Sequence, residues 1–461
     1  MEFSLSQEAE LKGIITRSFS IRNGYLSRLN CGEYSLDLVG NELLEAGKAV
    51  MASGIIEEHA GKMQLRAGKV VILEGEEAAI VMKEVEKKAE KKSKIGVFSP
   101  LVDDSLVKSL APVIENAARK ILSAKALERF VLLRFHGDAD GISGAIALTK
   151  MCKMQAIQQN SAIYSVGEAM RDLQTLHHEF MPILILLDFG SNSESEEGLK
   201  LLKAAGIEII VIDHHPPGKG VGGIANVFLS PWAISKNWND EDVSKYPAGY
   251  LAIEVARVGG ISGIDDFAKT SCAGDKSRIL PIDEKDKEKA LVLDYMASYS
   301  GFGNNLEFYA GVMGKHELFH SMLLQAKEKI EQIFETVKRS LKEKEVNGVK
   351  IAVIDLEKIS KKHEFPSKGK IATRIFESIN SEKPLVVLGY SEKSVIFRIN
   401  EPAVERGISA DKIIAELKVT MADFVESGGG HAKAAAVRIR EEFARDAIEE
   451  IVKVIERIAS S

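Results

Sequence analysis

Cysteine is scarce. The 461-residue chain holds three, Cys31, Cys152 and Cys272. Their wide separation excludes a disulfide framework and a cysteine-based zinc site. No uninterrupted apolar stretch approaches the roughly 18 residues of a membrane-spanning helix, and the amino terminus shows no signal-peptide pattern. The expectation is a cytoplasmic protein with no membrane partner. An excess of one charge is missing too: 61 Lys and Arg stand against 67 Asp and Glu, a net charge of −6. That excludes a surface coated in basic residues, so any nucleic-acid contact is confined to a local groove.

What is present is ordinary globular composition, 45% hydrophobic and 28% charged. Each domain can therefore bury a core, and the length suits two to four of them. Residues 1–95 contain helix-like and short strand-like pieces such as Lys69–Glu74, then the mixed-charge run Lys83–Lys94. Such a run reads as a solvated helix or a linker, and the region as an accessory of unknown role. Over 96–310 the pattern becomes strand–helix alternation. Apolar strands at 130–135, 183–187 and 207–212 are separated by amphipathic stretches such as 141–158 and 194–205. This predicts an α/β fold with a doubly wound parallel sheet. Residues 311–346 read as a helical connector. Strand-like runs at 350–355, 385–390 and 394–399, a helix near 409–418 and a glycine-rich turn make 347–461 a smaller α/β domain.

Chemistry gathers where the strands end. The first runs into His136-Gly-Asp138-Ala-Asp140-Gly, the second into Asp188-Phe-Gly and the third into Asp213-His214-His215. A further cluster, Ser271-Cys-Ala-Gly-Asp275, follows a helical segment. Open α/β sheets place ligands at the carboxyl ends of their strands. One such acid is explained by a helix cap; four clusters with histidines are not. Together they can hold two divalent ions about 3.5–4 Å apart. Carboxylate oxygens suit Mg²⁺ or Mn²⁺, and the histidines tilt the choice to Mn²⁺.

The ordered combination resembles the DHH phosphoesterase superfamily, and Gly428-Gly429-Gly430-His431-x-Lys433 resembles the phosphate-binding motif of its associated C-terminal domain. The likeness covers roughly 106–461 and is greatest to archaeal RecJ-like exonucleases, including the replisome-associated type. It implies that Asp138 ligates a first metal and Asp140 a second, with Asp188 bridging them. His214 and Asp275 would complete the second site, His215 would face the scissile phosphate, and Asp213 would orient the imidazoles. His136 is assigned to the first metal, with a supporting role as the alternative. Many members carry that histidine four residues before the first Asp, where this chain has Arg134. In the C-terminal domain the resemblance has His431 bind a substrate phosphate. Three glycines let backbone N–H groups approach an anion, and Arg398 suits bidentate phosphate contact. Lys370, with Lys368 and Arg374, either continues a basic track or is ordinary solvated charge.

The function expected is a two-metal exonuclease on single-stranded DNA or RNA. A phosphodiesterase for short oligonucleotides or cyclic dinucleotides is one alternative. A non-catalytic replisome scaffold is the other, and replication proteins would bind residues 1–95 or the connector.

Overall fold

A computed structural model describes residues 4–237, 243–299, 306–357 and 365–460, apart from the side chains of 235–237, 430 and 431. It divides into two compact units, Met1–Gly314 and Lys315–Ser461. Among the described residues no helix is long and apolar enough to cross a membrane.

The first unit opens with β1 (Glu8–Ile21), β2 (Gly24–Asn30), β3 (Ser35–Gly40), β4 (Ala49–His59) and β5 (Lys62–Ile72). They close into a barrel in the order β1-β2-β3-β5-β4, with β3 and β5 parallel. Period-two alternation turns Leu29, Leu36, Leu38 and Leu65 inward. The charged run that follows is no linker. It lies in α1 (Gly75–Lys92), which buries Val81, Val85 and Ala89 at four-residue spacing. That stripe packs with barrel residues Ile14 and Ala49 and with Leu127 and Phe180. The chain continues into α2 (Ser105–Ala126), capped by the Asp104 carboxylate accepting from Val107 N–H at 2.9 Å.

Next come β6 (Val131–His136), α3 (Ala139–Thr149), β7 (Gln155–Gln159), α4 (Val166–Leu176), β8 (Ile183–Leu187) and α5 (Glu196–Ala204). Then follow β9 (Glu208–Ile212), β10 (Val227–Leu229), α6 (Ala248–Val258), α7 (Asp265–Gly274), α8 (Glu284–Ala297) and α9 (Leu306–Gly314). The sheet is parallel throughout, in the order β10-β9-β8-β6-β7. Helices α4 and α5 cover one face, and α2, α3 and α6 the other. The helix expected over 141–158 stops at Thr149, and its second half is β7. A polar edge strand, Gln-Ala-Ile-Gln-Gln, carries too few apolar residues to announce itself. The strand order reverses between β6 and β8, which therefore lie side by side with β7 outside them. This is the crevice where doubly wound sheets receive ligands.

The second unit holds α10 (His316–Lys338), β11 (Lys342–Val346), β12 (Val349–Asp355), α11 (Lys368–Ile379), β13 (Leu385–Ser391) and β14 (Ser394–Ile399). It ends with α12 (Ala410–Thr420), β15 (Val425–His431), β16 (Ala434–Ile439) and α13 (Ala444–Ser460). The six strands run β11-β12-β13-β14-β16-β15. The connector is shorter than its charge pattern implied: helix ends at Lys338, and Phe334 and Val337 join the core under β12 and β13. The glycine-rich segment is not a turn but part of edge strand β15, paired with β16.

Candidate metal centre

Three acid-bearing strand ends converge because β6, β8 and β9 are neighbours in one sheet. The ladder continues past β8 and β9. Asp188 N–H donates to Ile212 O at 2.9 Å, and Asp213 N–H donates to Leu229 O at 3.1 Å. Asp188 also sits at φ +64°, a left-handed conformation that non-glycine residues adopt at a cost. That twist ends the strand and brings a carboxylate only 2% exposed into the crevice.

Asp138 is the N-cap of α3. One oxygen accepts from Gly141 N–H at 3.0 Å, while the other lies 2.6 Å from His136 Nδ1. The cap reading of this acid is therefore correct, but it uses one oxygen only. Asp140 is buried one residue into the helix. Its Oδ1 accepts from Gly249 N–H at 2.9 Å and from the Ser271 hydroxyl, and its Oδ2 is buried without a partner. Close packing makes this reach possible. A Cβ on Gly249 would stand 2.6 Å from Asp140 Oδ1, and one on Gly144 only 2.8 Å from Gly249 Cα. Asp275 follows α7 directly. Its Oδ2 lies 3.1 Å from His214 Nε2.

Asp188 stands between the two halves. Its Oδ2 faces His136 Nδ1 at 3.5 Å, and its Oδ1 faces His214 Nε2 at 3.5 Å and His215 Nδ1 at 4.0 Å. Asp188 Oδ1 and His214 Nδ1 are buried without hydrogen-bond partners. Asp213 behaves differently from the other acids. Fully buried, it accepts from His215 Nδ1 at 2.8 Å and from Ser191 N–H at 3.0 Å. Three ligand sets result, each with ligand atoms within 4.8 Å of one another: His136, Asp138 and Asp188; Asp140, His214 and Asp275; Asp188, His214 and His215.

The charge balance is unfavourable without cations. Burial first, then the Asp275 carboxylate, pushes Asp140 up to about 7; burial and Asp138 push Asp275 to about 7. Asp188 is raised well above the carboxylate range by burial and then by Asp138 and Asp140. Burial opposes the imidazolium of His136 and His215, yet Asp138 and Asp213 respectively hold each up to about 9. Those same ion pairs outweigh burial and keep Asp138 and Asp213 low. His214 is lowered by burial and by His215, so it is a neutral donor of the kind metals take. Orphaned buried oxygens and mutually repelling carboxylates are what divalent cations relieve, and the oxygen-rich set with histidines fits Mn²⁺ or Mg²⁺.

Four supporting contacts carry no signal in the sequence. Asp294 of α8 accepts from Ala139 N–H at 2.7 Å, Trp232 Nε1 donates to His214 O at 2.7 Å, and Ser191 and Gly249 bind Asp213 and Asp140 through backbone N–H groups. None belongs to a local motif. Arg134 is buried in a bidentate pair with Asp172 at 2.6 and 2.7 Å.

In the second unit, Arg398 lies against the start of α11. Its guanidinium donates to Thr373 Oγ1 at 2.9 Å and Gly369 O at 3.2 Å, and Lys370 follows directly in the same helix turn. Pairing across β15, β16 and β14 aligns the backbones of His431, Ala434 and Arg398 in one row; the His431 side chain is outside the described residues. Lys433 forms an ion pair with Glu401. Gly428 packs against Ile414 and Val437, whereas a Cβ on Gly429 would meet nothing within 4 Å. Arg374 is not part of a basic track: it pairs with Glu331 at 2.9 Å and stacks on Phe334.

Residues 130–236 match the family model of the DHH family, N-terminal domain, and residues 349–461 match the DHHA1 domain. An uncharacterised protein of Methanocaldococcus jannaschii is 25% identical across 90% of this chain, which spans 63% of that relative's length. The fold is shared with the DHH domain of a member of the S1p family of ribosomal proteins: TM-score 0.72, 24% identity, 83% of this chain and 99% of that one. It is also shared with manganese-bound RecJ of Thermus thermophilus: TM-score 0.50, 15% identity, 81% of this chain and 59% of that one.

Proposed function

On the premise that the chain is built from a DHH-family domain and a DHHA1 domain, we propose that it is a two-metal phosphodiesterase, a RecJ-like exonuclease hydrolysing single-stranded DNA or RNA. The observation that carries this reading is Asp188, whose two oxygens face two different ligand sets. A carboxylate so shared is the arrangement that holds two cations side by side. We assign His136 and Asp138 to one position, Asp140, His214 and Asp275 to the other, and Asp188 to both. Mn²⁺ is the proposed ion, as in the RecJ structure of the same fold, with Mg²⁺ the substitute.

Divalent ions there supply a water of lowered pKa and neutralise charge on phosphoryl oxygens. The chain's own residues do the rest. Asp213 holds the His215 ring by Nδ1, so the half-exposed imidazole presents a fixed face to a phosphate. Ser191 N–H, Trp232 and Asp294 fix the loops that carry Asp213, His214 and Asp138. In the DHHA1 domain, β15 is an edge strand with open space beside Gly429. Edge strands present unpaired N–H groups, which supports anion contact at Gly428–His431, with Arg398, Lys370 and Lys433 as neighbouring cations.

Comparing turnover of a long single strand with that of a dinucleotide tests the polymer reading. Faster turnover of the long strand is expected. Equal or faster turnover of the dinucleotide transfers the assignment to a short-oligonucleotide phosphodiesterase. No manganese-dependent cleavage of either leaves the scaffold reading.

A further inference from the structure

The amino-terminal barrel has no part in the centre described above, yet it carries a surface of its own. Its order β1-β2-β3-β5-β4, with β3 and β5 parallel, is that of the five-stranded Greek-key barrel whose β2–β3 face receives oligomers. Because Leu29, Leu38 and Leu65 point inward, their neighbours point out. Register sets Phe19, Leu26, Val39 and Arg66 in one outward row across β1, β2, β3 and β5, and Arg17, Arg28, Asp37 and Gln64 in the next.

The two rows have different fates. Arg28 is consumed by packing, pairing with Asp37 at 3.1 Å and with Glu128 at 3.0 Å. Phe19 is 54% exposed and Ile21 39% exposed, although both sit on a regular strand. Arg17 lies 6.0 Å from the centre of the Phe19 ring, and Arg22 follows in the turn after β1. Among the described residues neither arginine has a carboxylate partner, whereas Arg28 and Arg66 do. An exposed aromatic ring flanked by unpaired guanidinium groups is matched to a base stacked beside a phosphate.

We propose that the outer face of β1–β3, centred on Phe19 with Arg17 and Arg22, binds single-stranded nucleic acid by stacking and phosphate contact. Its placement gives this capture a length requirement. Glu128 and Phe180, which contact the barrel side, precede β6 and β8 and so mark the amino edge of the sheet; the acids lie at the carboxyl edge. The length of β6 alone, about 17 Å, separates the two edges. A dinucleotide cannot occupy both places, whereas a long strand can. Capture itself does not depend on catalysis; only the advantage it gives long substrates rests on the phosphodiesterase reading.

The test uses the full chain with chelator present, so that nothing is cleaved, and fluorescence anisotropy of a labelled long oligothymidylate or oligouridylate. The double variant Arg17→Ala/Phe19→Ala is expected to bind about tenfold or more weakly, with unchanged far-UV circular dichroism. Phe19→Tyr, which keeps a ring, is expected to bind like the natural chain. With Mn²⁺ restored, the double variant should turn over a dinucleotide or a chromogenic phosphodiester at the natural rate while losing its preference for long strands. Unchanged anisotropy in the double variant, or an equal loss in Phe19→Tyr, overturns the proposal. Intact capture with no cleavage of any substrate instead overturns the phosphodiesterase reading and leaves the binding face standing.

Discussion

Without metal, the acidic centre should cost the protein stability as pH rises, and Mn²⁺ should return it. Asp140 is 1% exposed and pushed from 3.8 up to about 7. Keeping it ionised at about pH 8 costs roughly 3 units, or about 4 kcal/mol, relative to the unfolded chain. Its repulsion with Asp275 is shared between them, so that cost is counted once for the pair. A folded-state value raised above the unfolded one means stability that is complete below about 4 and lost as pH climbs through about 7. His136 and His215, raised from 6.5 to about 9, add a loss of the same sign at higher pH. Asp138 and Asp213 are lowered, so they act in the opposite sense, but only in acid. A ligand at about a thousand times its dissociation constant offsets roughly 4 kcal/mol. Thermal unfolding with chelator and with Mn²⁺, at about pH 5 and about pH 8, is the assay. The chelated midpoint should fall between the two pH values, and the rise on adding Mn²⁺ should be large at the upper one and small at the lower. The Asp140→Asn variant should lose part of this pH dependence, the rest staying with Asp188 and the two histidines. A Mn²⁺-induced rise equal at both pH values, or a natural slope retained in Asp140→Asn, would refute the reasoning.

Asp188→Asn should reduce manganese-dependent turnover by more than the roughly 10–100-fold that a supporting residue costs, while the chelated protein melts no lower, because burial and the neighbouring carboxylates already disfavour the charged form of Asp188 there. Gly249→Ala places a methyl 2.3 Å from Asp140 O and 2.6 Å from its Oδ1. Weaker Mn²⁺ binding by calorimetric titration and a loss of about 1–3 kcal/mol in denaturant melts are expected. Arg134→Met leaves Asp172 buried without its guanidinium partner. Unfolding free energy should drop by about 3–5 kcal/mol with Mn²⁺ affinity retained; a selective loss of affinity would instead give Arg134 a role at the metals.

The fold was most legible where burial is two-sided. Ile183–Leu187 and Ile209–Ile212 are continuous apolar runs because helices cover both faces of the central sheet. Their abrupt ends in Asp188 and Asp213 marked the centre for the same reason. Legibility failed where one face is wet or the partner is remote. The barrel strands alternate over short stretches with charged outer residues such as Arg17, Arg28 and Arg66, so their closure rests on pairings that local periodicity does not reveal. Gly428–Gly430 suggest a turn by composition, yet β16 gives them a ladder partner. Asp294 and Trp232 reach the centre from α8 and from the segment after β10, and nothing in their own neighbourhoods distinguishes them from ordinary helix and loop residues.

Cleavage of single strands at a centre shared through Asp188 is open to one decisive digestion. Matched DNA and RNA strands, end-labelled in turn at each terminus, digested with Mn²⁺ by the natural chain and by Asp188→Ala, test it most directly. Stepwise release of mononucleotides from one end by the natural chain, abolished by chelator and by the substitution, is expected. Undiminished cleavage by Asp188→Ala, or cleavage that persists in chelator, would contradict it.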